Sequence, residues 1–172
     1  MSSLASRQSV QQRSAINSPG AEKDLELLLE APDSSLKGKE KRIAKILSDR
    51  GRVHDLVGRH ERAAAYHKRA AELDPDTGIY TVRHGFAVFN DPVLVDEQRM
   101  AEARQLFERA AAKAPYDAAA RFALGCFWYE AGNPRYAKGE LEAALRARPD
   151  HSRAAATLSK IRARLEVSQP KK

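Results

Sequence analysis

Apolar residues along the chain recur three and four positions apart. Ile43, Ile46, Leu47, Val53, Leu56 and Val57 follow that spacing and stop at Gly58. This is the pattern of an amphipathic helix. From there to about Val167, helical pattern alternates with short turns. The nearest approach to a strand, "AVFNDPVLV", is broken by Asn90, Asp91 and Pro92. Upstream, "AEKDLELLLEAP" predicts a short acidic helix ending before Pro32, with Leu25, Leu28 and Leu29 on one face and Leu27 widening it. A helix so short does not hold alone in water, so it must dock on the main domain or on a partner. Ser34 or Ser35 is placed to cap the helix that follows. Residues Met1 to Gly20 are rich in Ser and Gln, with Leu4, Val10 and Ile16 too sparse to bury, which predicts disorder. The expected organisation is a tail over 1–20, an acidic helix over 21–33, a helical domain over 34–167 and a loose tail over 168–172.

The helical region repeats itself. An offset of 74 residues pairs Gly51 with Gly125, Gly58 with Gly132, Ala63 with Ala137, Ala70 with Ala144 and Pro75 with Pro149. Ala103, Phe107, Ala110 and Pro115 stand 34 residues before Ala137, Leu141, Ala144 and Pro149. Small residues at these sites are where helices can cross closely, and the prolines stop helices and turn the chain. Asp117 is placed to cap a helix start.

This spacing resembles the tetratricopeptide repeat, a 34-residue helix–turn–helix unit. Ala118 to His151 carries the fullest set: Leu124, Gly125, Trp128, Gly132, Ala137, Leu141, Ala144 and Pro149. Ala44 to Thr77 matches best in its second helix, with Arg50 where Leu is usual and His54 where Tyr is usual. The middle copy has His84 where Leu is usual. It also holds about six extra residues near "NDPVLVD", since Pro75 and Pro115 are 40 apart. The resemblance implies an all-α superhelix of about three repeats plus a C-terminal capping helix. Ala155, Leu158, Ile161 and Leu165 would cover the open end of the stack.

The resemblance also implies a concave groove lined by the first helix of each repeat. Its positions would be Lys45, Ser48, Arg52, Asp55 and Leu56, then Ile79, Val82, Phe86, Phe89 and Asn90, then Ala119, Phe122, Cys126, Tyr129 and Glu130, with Arg83 beside the second set. One end is then basic, through Lys45, Arg52 and Arg83. The other is an aromatic platform of Phe86, Phe89, Phe122 and Tyr129. Two competing readings are that these rings pack between repeats, or that the Leu-rich helix over 21–31 covers them. Chaperone-binding members of the family grip C-terminal carboxylates with a five-residue clamp. The matching places hold Ser48, Arg52, Arg83, Ala119 and Ala123, which disfavours that mode. An apolar or amphipathic peptide is the expected ligand.

Composition narrows the classes. Hydrophobic content is 42% with only 6% aromatic residues, so the core must be built largely from Ala and Leu. One Cys excludes an internal disulfide, and no apolar run approaches the ~18 residues of a membrane span. The net charge of +7 is concentrated late: from Ala131 onward, ten Lys or Arg face four acidic residues. Arg146, Arg148, Arg153, Lys160, Arg162 and Arg164 form a candidate basic face for RNA, anionic lipid or an acidic protein. No aromatic residues are interleaved there for base stacking, so nucleic acid is the weaker partner class. A cytoplasmic location is expected. The acid-free stretch with Arg7 and Arg13 leaves organellar targeting as the alternative.

Chemistry is sparse. His54, His60, His67, His84 and His151 include no pair at the i,i+4 metal-ligand spacing, and there is no second Cys. "SSLK" lacks its companion motifs, and no phosphate-binding loop is present. His67 and His84 are expected to be packing residues. No catalytic residue, metal or cofactor is expected. The reading is a non-catalytic adaptor, scaffold or small chaperone. Its alternative is an assembly subunit that uses the basic face.

Overall fold

The computed structural model describes residues 19–167. Its helices are α1 (Pro19–Glu30), α2 (Asp33–Leu36), α3 (Glu40–Leu56), α4 (His60–Leu73), α5 (Ile79–Phe89), α6 (Asp96–Lys113), α7 (Ala118–Glu130), α8 (Pro134–Ala147) and α9 (Ser152–Val167). No strand occurs among the described residues. The expected tail over 1–20 lies outside them, save for Pro19 and Gly20, which open α1. The tail over 168–172 also lies outside.

The turns follow from local chemistry. Gly58 and Gly132 adopt φ of 73° and 74°, the left-handed region that side chains disfavour, and reverse the chain after α3 and α7. Pro134 opens α8, where its missing N–H costs nothing. Asp117 caps α7, its carboxylate accepting from the Ala120 N–H at 2.7 Å. Ser34 and Ser35 do not cap α3. Instead Ser35 Oγ donates to the Pro32 carbonyl at 2.7 Å, α2 and Gly38 intervene, and α3 starts at Glu40.

The helices pack as three consecutive pairs, α3/α4, α5/α6 and α7/α8, with α9 against the last. Three apolar clusters run along the stack. The first joins Leu36, Leu47, Tyr66, Ala70, Leu73 and Tyr80, with Leu25, Leu28 and Leu29 of α1 packed on it. The central one is built on Phe107, Leu124 and Phe127. The last joins Phe122, Ala137, Leu141, Ala144, Leu158 and Ile161. Within α9 it is Ala154 that is buried and Ala155 that is exposed, one position from the expected face; Leu158 and Ile161 are buried as expected.

α1 lies against α4, not along the row of first helices. Arg62 pairs with Glu26 at 3.3 Å. Arg69 pairs with Asp33 at 2.8 Å and donates to the Ala31 carbonyl at 2.5 Å. Leu27 points away, 63% exposed. The acidic helix therefore seals the first repeat and leaves the groove-assigned positions on α3, α5 and α7 uncovered by it.

Candidate functional site

The residues assigned to the groove sit on α3, α5 and α7, with Asn90 just past the end of α5, and they divide into a polar end and an apolar end. At the polar end, Lys45 is 73% exposed and binds Asp49 at 2.8 Å, while Arg52, 58% exposed, lies 3.6 Å from the same carboxylate. The Lys45 hydrogen bond holds the Asp49 carboxyl below its usual range, with Arg52 and Arg83 adding to the effect. Arg83 reaches from α5 to α3, donating to Ser48 Oγ at 2.7 Å. Burial, then the charge of Arg52, lower its pKa. A guanidinium starts so high that it remains a cation at neutral pH.

Beneath these cations runs a buried polar chain that sequence reasoning missed. Ser48 Oγ lies 3.3 Å from His67 Nδ1, and His67 Nε2 lies 3.1 Å from Asp55 Oδ2. Asp55 Oδ1 is 3.5 Å from His60 Nδ1. A serine, a histidine and an aspartate in sequence suggest a hydrolytic triad. Ser48 and His67 are fully buried, however, so no substrate atom can reach that hydroxyl. What the chain does is tie α3, α4 and α5 together and fix the Arg83 guanidinium. The signal available in the sequence was His67 itself, a polar ring at a position where the repeat usually has an aromatic or Leu.

At the apolar end, the rings are seated between repeats and form no single open platform. Phe86 meets Phe107 edge-on at 5.0 Å, and Phe89 meets Phe127 at 6.2 Å. Val82 is buried, 3% exposed. Phe122 is also buried, with His151 at 4.8 Å and the Arg153 guanidinium at 5.1 Å from its ring. Arg164 stands 5.9 Å over Tyr129. Cys126 is half-buried, and burial pushes its thiol up to about 11. Phe86, Phe89, Cys126 and Tyr129 keep partial exposure.

The basic face divides in the same way. Arg153 and Arg164 of α9 lie over rings of α7. Arg162 pairs with Glu142 at 3.1 Å. Arg146, Arg148 and Lys160 are exposed. Among the described residues, no cluster of His, Cys, Asp and Glu is arranged to hold a metal ion, and no helix is long and apolar enough to cross a membrane.

Residues 94–161 match the tetratricopeptide repeat family model. Comparison with curated protein sequences finds no match. Among solved structures, the chain is similar to the first tetratricopeptide domain of Spaghetti (RPAP3), solved with the HSP90 peptide SRMEEVD. The TM-score is 0.62 at 20% identity, over 73% of this chain and 95% of that one. It is similar to the Sgt2 tetratricopeptide domain of Aspergillus fumigatus with TM-score 0.64 at 16% identity, over 75% and 86%. It also resembles Thermobaculum terrenum O-GlcNAc transferase, with TM-score 0.62 at 21% identity, but spans only 23% of that chain. The family model covers residues 94–161, and the solved structures show that the earlier helices share the fold of tetratricopeptide domains.

Proposed function

We propose that the chain is a non-catalytic protein-interaction module, an adaptor, scaffold or small chaperone. It takes an amphipathic, acidic peptide segment along α3, α5 and α7. The observation that carries this reading is the cationic group Lys45, Arg52 and Arg83, two of them well exposed and the third held by Ser48. Beside it lie the part-exposed rings of Phe86, Phe89 and Tyr129. The Spaghetti domain with its Glu- and Asp-containing peptide supports an acidic ligand. Ala119 and Ala123 offer no donor, so recognition of acidic groups here rests on the three cations and on shape. The basic-face alternative is weaker, because Arg153, Arg162 and Arg164 are already engaged with rings or a carboxylate.

The test is anisotropy titration of a synthetic amphipathic acidic peptide against its Gln-substituted control. Lys45→Glu with Arg52→Glu changes only exposed side chains and should weaken binding roughly tenfold or more. Equal affinity for both peptides and both proteins overturns the reading. Loss only on Arg146→Glu with Arg148→Glu, with steep salt dependence, transfers the interaction to the basic face.

A further inference from the structure

A second site lies away from the groove positions. Helices α4, α5 and α6 line an open cavity of about 230 Å³, and none of the groove-assigned residues lines it. His84 does. It is 92% buried, being only 8% exposed, and it has no hydrogen-bond partner among the described residues.

The cavity mouth carries cations. Lys68 of α4 and Arg109 of α6 line it, and neither forms an ion pair among the described residues. The other two charges are occupied: Glu72 by Arg69 at 3.5 Å, and Lys113 by the Pro75 carbonyl and Asp76. Leu106 supplies an apolar wall. Burial, then Lys68, His67 and Arg109, drive the His84 pKa down to about 4. Those same two lining cations would attract a negative ligand.

The geometry points to an oxyanion site: a phosphate or carboxylate group held by Lys68 and Arg109, with the His84 ring donating from the cavity wall. An imidazole N–H and two cations match an acceptor-only group with several lone pairs. Fixed negative charge beside His84 favours its protonated form. Bound anion must therefore raise the His84 pKa.

The test is NMR of the intact chain, following the His84 ring during separate additions of sodium phosphate and sodium acetate at constant ionic strength. A saturable shift and a raised His84 pKa are expected. Response to phosphate alone identifies a phosphate ligand, and response to both extends the site to carboxylates. Lys68→Ala with Arg109→Ala alters exposed residues only and should weaken binding roughly tenfold to a hundredfold. His84→Gln, which keeps a donor, should retain more affinity than His84→Leu, with thermal melts confirming that all variants are folded. The proposal is overturned by an unsaturable response, by none, or by equal affinity in the double variant.

Discussion

A β-carbon on Gly51 would lie 2.7 Å from His67 Cε1, closer than any real contact of that kind. α3 and α4 therefore cross with the imidazole filling the place of a side chain. The relationship recurs down the stack: a β-carbon on Gly85 would lie 2.6 Å from Phe107, and one on Gly125 would lie 2.8 Å from Leu141. One glycine and one large residue per pair set how closely its two helices approach.

Gly51→Ala should accordingly destabilise the protein by about 1–3 kcal/mol, through displacement of His67 and its bonds to Ser48 and Asp55. Gly139 is the control. It lies within α8, where an added β-carbon meets nothing within 4 Å. Gly139→Ala should stabilise by up to about 1 kcal/mol through helix propensity. Denaturant unfolding of both variants checks the pair. Equal effects would mean that the crossing tolerates a methyl group.

Removing residues 1–31 should destabilise the first repeat, because loss of Leu25, Leu28 and Leu29 leaves the first apolar cluster less covered. Three partly buried leucines are worth about 2–4 kcal/mol together. Peptide affinity should stay unchanged, since α1 lies on α4. A truncation that gains affinity would show that the segment competes for the groove.

His84 makes stability depend on pH. Its folded pKa of about 4 lies below the unfolded value of 6.5. Between those values the unfolded chain binds the proton and the folded chain does not, so stability falls as pH drops from 6.5 toward 4. The loss amounts to about 3 kcal/mol at most. His84→Leu should flatten that slope in melts from pH 7 to pH 4.5. An unchanged slope would assign the acid sensitivity to other groups.

Cys126 should be slow to react. With its pKa near 11, only about a thousandth of the thiol is thiolate at pH 8. Its packing against the last apolar cluster shields it further. Labelling should accelerate at least about a hundredfold on unfolding. Reaction at the rate of a free thiol in the native protein would place Cys126 in open solvent.

Much of the architecture was legible because small residues, glycines and prolines recur at fixed offsets. Those offsets reflect backbone geometry, which local sequence controls. The face that α3 buries was less legible. Ile46, Val53, Leu56 and Val57 follow helical spacing yet are 41–85% exposed, while Ser48, Arg50 and His54 are buried. Burial there is decided by what packs against the helix. Tyr66 stacks on His54 at 5.2 Å, making a polar ring a core residue.

The aromatic platform shows the same limit. Phe122 sits at a groove position of its own repeat, yet α9 brings His151 and Arg153 onto it. No reading of that repeat alone contains this contact.

The sequence by itself determined the helix pairs, their glycine crossings and the capping role of α9, because repeat spacing and turn chemistry are local. Only the tertiary structure decided where α1 docks, how Ser48, His67 and Asp55 meet, and that unpartnered His84 opens onto a cationic cavity. Each of these depends on side chains from different helices reaching the same place, and their spacing along the chain carries no record of that.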